Sequence, residues 1–371
     1  MIRVLHSVSN MDRAGIETML MNYYRHMDRE KIQFDFLCNK QKRGAYEEEI
    51  LSLGGRVYRT PGLNPIKYPQ YLQYMKNLFR ENPDCRIVEA HNGAFGAYAL
   101  NAARHCGVPV RILHAHGASI GKDWKLPLKL LCRALLPLST TEHFTCGDAA
   151  AQCYFSAKTM GNADYILIPN AIEIDRFAFD ENVRQKLRAD NNLEGKHVIG
   201  HVGRFSHEKN HMFLLKSFAC LLKQDPTACL VLIGDGENME AVQAAAERLN
   251  ISENVRFLGN IPNVHEWYQA FDVFVLPSVR EGLPVVGVEA QAADLPCIFS
   301  ATITREVHIL DKTRFVDLKA GPQAWAEEIA QALCNTHREN VGKLIADRGY
   351  DISTEAAKLQ ERYMKLAGEQ T

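Results

Sequence analysis

An α/β protein with two doubly wound parallel sheets is what the sequence predicts, on three observations. The chain has 371 residues, more than one hydrophobic core usually organises. Short β-branched runs alternate with longer stretches of helical apolar spacing, the pattern of parallel strands joined by helices. That alternation occurs twice, on either side of a charged segment, residues 170–196, whose apolar periodicity is weak. Such a segment reads as an interdomain connection.

In the first series, residues 2–8, 33–38, 86–91, 110–116, 143–146 and 165–169 read as buried strands, because they are short, apolar and rich in β-branched or aromatic side chains. Residues 17–26 and 68–81 between them carry apolar side chains at helical intervals. In the second series the strands fall at 198–203, 229–234, 255–258, 273–277, 297–300 and 314–316, with helices at 211–223 and 239–249. A last helix at 353–367 follows from the spacing of Ala356, Leu359, Tyr363 and Leu366. The expected domains are therefore 1–172 and 173–352, with 353–371 as a terminal helix. Ligands of open α/β sheets sit beyond the carboxyl ends of the strands, so the chemistry is expected from strand-end loops of both halves, across a central cleft.

Composition narrows the function. With 46% hydrophobic and 23% charged residues the chain is globular, and no apolar run is long enough for a bilayer crossing. A formal charge of −1 gives no global attraction to nucleic acid. Ten cysteines are scattered from Cys38 to Cys334 without a C-x-x-C pair, which reads as reduced thiols. The N-terminus enters a strand pattern with no signal-peptide organisation, so a cytoplasmic protein is expected. His114 and His116 share one face of a strand and raise the question of zinc, but the sequence identifies no third ligand, and no metal is expected.

The most informative stretch runs from Pro277 to Glu289. It follows the apolar strand, turns at Gly282, and enters a helix with Pro284 placed for the first helical position. Amides around Leu283, Pro284 and Val285, at the positive end of that helix, suit a phosphate or a cluster of sugar hydroxyls. Glu281 precedes the helix and Glu289 lies just over a turn inside it, so the two carboxylates reach different parts of one elongated ligand. Either glutamate alone would read as an ordinary residue near a helix start; their combination with a Gly-Leu-Pro turn points to a site. Arg204 and Lys209 flank the turn after the first strand of the second series, where a diphosphate would find positive charge without a metal.

These residues carry a resemblance. Two glutamates separated by seven residues, Glu281 and Glu289, match the pattern of family 4 retaining glycosyltransferases, which have the GT-B fold of two Rossmann-like domains. The segment His201 to Asn210 is similar to that family's Gly-Arg…Lys-Asn loop through Gly203, Arg204, Lys209 and Asn210, and Gly234-Asp235-Gly236 to its next strand end. Met11 to Glu17 sits where the family carries a Gly-Gly-x-Glu turn, with Ala14 in place of the first glycine. Asp294 is a second departure, where Ala-Ala-Gly is the commoner ending. Within the family the chain resembles bacterial enzymes of exopolysaccharide and capsule assembly.

The resemblance implies a retaining, metal-independent hexosyl transfer from a nucleoside diphosphate sugar, UDP by family frequency, to a glycan or polyprenyl-linked acceptor. It implies an acceptor-side first domain, a donor-binding second domain, and a terminal helix that returns to the first. No cofactor is implied beyond the nucleotide-sugar co-substrate. His116 takes the place of the family's active-site histidine, and Glu281 orients the transferred sugar. Gly15, Gly203, Arg204, Lys209, Gly282, Leu283, Pro284, Val285 and Glu289 bind the donor, Glu289 at the ribose, and His91 stands on the acceptor side. A nucleotide-sugar epimerase, a phosphorylase and a non-catalytic sugar-nucleotide binding protein are the alternatives. Residues 121–136 mix cations with Trp124 and leucines; an anionic membrane surface at the inner face of the cell membrane and an ordinary core helix with a basic edge both fit that pattern.

Overall fold

The computed structural model describes residues 1–117, 120 and 123–368. The chain forms two compact units, Met1–Ala171 with Ile352–Thr371, and Ile172–Asp351. The first contains β1 (Ile2–Val8), β2 (Ile32–Cys38), β3 (Val57–Arg59), β4 (Cys85–Ala90), β5 (Val110–Ala115), β6 (Glu142–Thr145) and β7 (Ile166–Leu167). They lie in the order β3-β2-β1-β4-β5-β6-β7, every pairing parallel. The second contains β8 (His197–Val202), β9 (Ala228–Ile233), β10 (Val255–Gly259), β11 (Val273–Leu276), β12 (Cys297–Ser300) and β13 (Thr313–Val316) in the order β10-β9-β8-β11-β12-β13. All of these pairings are parallel too.

Strand order reverses between β1 and β4 in one sheet and between β8 and β11 in the other. At such a switch point the loops leaving neighbouring strands diverge, which opens a crevice at their carboxyl ends. Helices cover the sheets, and buried strands with residues such as Val4, Phe34, Ile87, Leu230 and Val275 form the cores.

Three expectations change. The edge strand β3 is absent from the sequence reading, because three half-buried residues carry no period. Residues 170–196 are more than a connection: the Ile174–Phe177 and Glu181–Asp190 helices belong to the second unit, where Ile174, Phe177 and Leu193 join the core. Their polarity misleads because arginines bind a buried partner here instead of facing water. Arg184 and Arg188 both pair with Asp272, which is 4% exposed. Third, the helix after β11 is Val285–Ala292, so Pro284 is its N-cap, with φ −73° and ψ 114°, and not its first helical residue.

Both departures from the family pattern are accommodated locally. Ala14 has φ −130° and ψ 172°, extended backbone that any residue adopts, and it caps the Gly15–His26 helix. No positive φ is demanded there. Asp294 does adopt a left-handed φ of 52°, a conformation that aspartate tolerates better than most side chains. Its carboxylate offsets the strain by accepting from Lys312 Nζ at 2.7 Å and from the Glu339 amide at 2.6 Å.

The C-terminal Ile352–Leu366 helix lies in the first unit, where Tyr363 is fully buried against Phe34 and Phe144.

Candidate functional site

At the β8/β11 switch point the loops after the two strands are tied together. The Val279 amide donates to the Glu208 carbonyl at 2.8 Å, and Asn210 Nδ2 to the Pro277 carbonyl at 3.1 Å. Gly234, after β9, closes the third side. Its φ is 135°, and a Cβ there would lie 2.1 Å from the Gly203 carbonyl oxygen, so only glycine fits.

Within this frame Lys209 Nζ bonds Glu281 Oε1 at 2.7 Å, both side chains being largely buried. Ser278 Oγ donates to the same oxygen at 2.8 Å. Two residues far apart in the sequence, and read singly there, thus form one unit. Leu283 and Val285 turn their side chains into the core, which leaves the backbone as the face of this turn that a ligand meets. The Val285 and Val286 amides stand in the first helical turn, which supplies them no intrahelical acceptor. Gly282 is the bend between the glutamate and that turn. Arg204 is different. Its guanidinium is well exposed and pairs with the exposed Glu237 at 2.9 Å.

Glu289 is buried one turn into the helix and accepts from Tyr268 Oη at 2.8 Å. Burial pushes its carboxyl up from 4.5 to about 7, against the Tyr268 hydrogen bond and the charges of Arg176 and Lys209. A folded-state value raised in this way means that the folded protein holds the proton more tightly than the unfolded chain. Its contribution to stability is present below pH 4.5 and lost as pH rises through about 7.

The first unit has its own cluster at the β1/β4 switch point. A cavity of ≈ 340 Å³ is lined by Ser9, Ile16, Glu17, Asn39, His91 and Asn92, among others. Gly15, the first residue of the neighbouring helix, has nothing within 4 Å of a Cβ position and leaves its backbone open. His91 continues β4 and joins a chain of imidazoles: His6 Nδ1 and His91 Nε2 are 3.0 Å apart, and His91 Nδ1 and His116 Nε2 are 2.9 Å apart. Deeper, His114 Nδ1 lies 2.7 Å from Glu89 Oε1, and Tyr363 Oη donates to the other carboxylate oxygen. Burial lowers the pKa of His6 to about 4 and that of His114 to about 3, and holds His91 and His116 well below the usual range.

His91 is the third nitrogen ligand that sequence reasoning did not find, since one nitrogen from each of His91, His114 and His116 falls within 4.8 Å of the others. The rings are nevertheless arranged for each other. Tetrahedral zinc holds nitrogens at about 2.0–2.1 Å from the ion and so roughly 3.3 Å apart, whereas His91 and His116 meet at hydrogen-bonding distance. His114 and His116 stack, with centroids 4.0 Å apart and planes 25° apart, which keeps their in-plane lone pairs from converging. The network also recruits His6, Glu89 and Tyr363, to which no role was assigned. The signal was available: a histidine and a glutamate inside otherwise apolar parallel strands are costly unless partnered.

Two sheets of this order, each with polar groups gathered at its switch point, define a GT-B protein. The Glycosyl transferase 4-like domain matches residues 14–171, and Glycosyl transferases group 1 matches residues 183–348. The chain belongs to this family of glycosyltransferases. It is 39% identical over 368 residues to the putative glycosyltransferase EpsF of Bacillus subtilis, a match that covers 97% of this chain and 96% of the relative. It is 24% identical to the capsular polysaccharide biosynthesis glycosyltransferase CapH of Staphylococcus aureus, across 98% of this chain and 99% of that one. Among solved structures it is similar to HepE of Anabaena in complex with UDP and glucose, with a TM-score of 0.80, 16% identity, and coverage of 98% of this chain and 99% of that one.

The segment that raised the membrane question forms the Leu126–Ser139 helix; Gly121 and Lys122 lie outside the described residues. Only Cys132, Leu136 and Ser139 are buried, while Leu130, Leu131, Leu135 and Leu138 are exposed and Trp124 is 86% exposed. Among the described residues no helix is long and apolar enough to cross a membrane. None of the ten cysteines, all of them among the described residues, forms a disulfide.

Proposed function

We propose that this glycosyltransferase moves a sugar from a nucleoside diphosphate sugar, UDP-linked, to a hydroxyl of a glycan or polyprenyl-linked acceptor in polysaccharide assembly, with retention at the anomeric carbon and without a metal ion. The observation that carries this reading is the Lys209–Glu281 pair at the β8/β11 switch point, beside the first turn of the Val285–Ala292 helix. A diphosphate arriving there competes with Glu281 for Lys209 and meets the amides of the helix start, so its developing charge in the transition state is stabilised by groups already in place. Glu281, still held by Ser278, is then available to the hydroxyls of the transferred sugar. Glu289 accepts from the ribose. The exposed Arg204 adds donors for the phosphates. On the acceptor side stands His91 with its cavity, and His116 serves the reacting sugar. CapH, named for capsular polysaccharide biosynthesis, and HepE, solved with UDP and glucose, support the choice of product and donor.

A thermal-shift panel of nucleoside diphosphate sugars tests it. A ligand at 100 times its Kd should add about 2.7 kcal/mol to the stability of the protein. The gain should shrink between pH 8 and pH 6, because Glu289 takes up its proton near pH 7 and a protonated carboxyl accepts a ribose hydroxyl less well. Glu289→Gln should flatten that dependence. If no nucleoside diphosphate sugar moves the transition at either pH, the donor reading fails.

The peripheral-membrane part of the reading rests on the leucine face of the Leu126–Ser139 helix, flanked by Trp124, Lys125 and Arg133. An apolar stripe edged with cations is what an anionic bilayer interface accommodates. The protein should float with vesicles containing anionic lipid and remain behind with zwitterionic ones. Changing Lys125, Lys129 and Arg133 together to Glu should abolish flotation; flotation unaffected by the charge reversal would remove the basis for this part.

A further inference from the structure

The proton positions along the imidazole chain follow from its buried carboxylate. Glu89 is fully buried; Tyr363 Oη donates to one of its oxygens, and His114 Nδ1 meets the other at 2.7 Å. Burial raises the pKa of this carboxyl, but with Tyr363 on one oxygen and the ring nitrogens of His114 and His91 both facing the other, the group is best satisfied as the anion, which places a proton on His114 Nδ1. Its Oε1 also lies 3.6 Å from His91 Nε2. Facing an anion at that distance, a ring nitrogen is stable with a proton and repelled with a bare lone pair. His91 therefore carries its proton on Nε2, directed toward His6 Nδ1 at 3.0 Å. A neutral imidazole has one N–H only, so His91 Nδ1 is an acceptor, and the group 2.9 Å from it, His116 Nε2, must be the donor. That leaves His116 Nδ1 without a proton. Among the described residues nothing binds that nitrogen, and His116 is the one member of the chain that is not fully buried. At the other end, His6 carries its proton on Nε2 and lies against the ring of Phe34, centroids 4.1 Å apart, a weak acceptor for an otherwise unpartnered donor.

We propose that Glu89, acting through His91, fixes the tautomer of His116 so that its Nδ1 faces outward as a bare hydrogen-bond acceptor. A neutral acceptor takes a sugar or acceptor hydroxyl and turns away a phosphate oxygen, which would meet it lone pair to lone pair. The outer end of the histidine chain is thereby selective for a hydroxyl-bearing group over a phosphate. Burial keeps His116 neutral, which preserves the distinction. Glu89 and His91 act as positioning residues, not as groups that touch substrate. The substrate class rests on the glycosyl-transfer reading, whereas the proton placement belongs to the free protein and stands or falls without it.

The experiment is a long-range ¹H–¹⁵N correlation of the ring nitrogens in protein labelled at histidine, with His116 assigned from the spectrum of His116→Gln. The wild-type protein should have His116 and His91 protonated at Nε2 and His114 at Nδ1. In Glu89→Gln, His116 should change from one dominant tautomer to a mixture, and His91→Gln should do the same by cutting the chain. Steady-state kinetics of Glu89→Gln should show a lower kcat with donor KM little changed. A wild-type His116 protonated at Nδ1, or a His116 tautomer indifferent to both substitutions, would overturn the proposal. If neither variant folds, the wild-type spectrum decides. If the tautomers are as stated and no nucleoside diphosphate sugar binds, the glycosyl-transfer reading fails and the relay remains.

Discussion

Replacing Lys209 by Met should lower kcat by about 10²–10³ with a much smaller change in donor KM. The reason is the placement of its charge. In the free protein Lys209 is neutralised by Glu281 at 2.7 Å, so a ground-state donor that displaces the glutamate exchanges one anionic partner for another and gains little net affinity. As the bond to the sugar breaks, charge accumulates on the diphosphate, and the ammonium group interacts more strongly with that state than with the ground state. Interactions that grow toward the transition state raise kcat, and the loss of one preorganised donor of this kind typically costs a factor in this range. Lys209→Met also leaves Glu281 part-buried without its cation, so Glu281→Gln in the presence of Lys209 is the necessary companion. The double variant should fall less than the product of the two single losses, since the residues form one unit. Initial rates with saturating acceptor measure all three. A Lys209→Met enzyme that keeps its kcat and loses only donor affinity would assign the lysine to ground-state binding.

The extent to which the sequence discloses this molecule depends on the range of the interactions involved. Local periodicity located nearly every strand to within a residue or two, as in β1 and β12, because a buried parallel strand is a short apolar run and a helix between two of them has a visible period. The same logic misses β3, which is too short for a period, and misreads 170–196, whose arginines are polar in sequence and largely buried in the fold. The strand-end loops are also legible, since a glycine turn before a helix start is a local pattern. Pairings across the sheet are not. Lys209 stands out as a cation at a strand end and Glu281 as a carboxylate before a helix start, but their partnership follows from β8 lying beside β11. The histidine chain is similar. His91, His114 and His116 were noticed, whereas His6 and Glu89 become partners because β1 pairs with β4 in a register that sets His6 opposite Glu89. Tyr363 reaches the same carboxylate from the far end of the chain, and no spacing rule anticipates that contact.

Asp272→Ala should strongly destabilise the second unit, lowering its stability by about 3 kcal/mol. Asp272 stands immediately before β11, and its carboxylate accepts from the Val198 amide of β8 at 2.7 Å, from Arg188 at 3.1 Å and from Arg184. Removing it leaves one strand amide and two guanidinium groups with a deficit in a region that is mostly buried. Breaking a buried ion pair from one side typically costs about 3–5 kcal/mol, because the remaining charge is uncompensated. The lower end applies here, since both arginines keep carbonyl partners: Arg184 at Phe271 and Gln269, Arg188 at Ala270 and Leu193. For a unit of this size the loss corresponds to about 6–12 °C in Tm. Calorimetry should place the shift in the transition of the unit that contains β8 to β13 and leave the other unchanged. Asp272→Asn should recover part of it, because an amide oxygen still accepts from Val198. The Glu181–Asp190 helix should lose hydrogen-exchange protection before β8 and β11 do, since Arg184 and Arg188 are its principal ties to the sheet. A loss below 1 kcal/mol would mean that the helix is held by apolar contacts such as those of Leu187, and that the arginine cluster contributes no more than exposed ion pairs do.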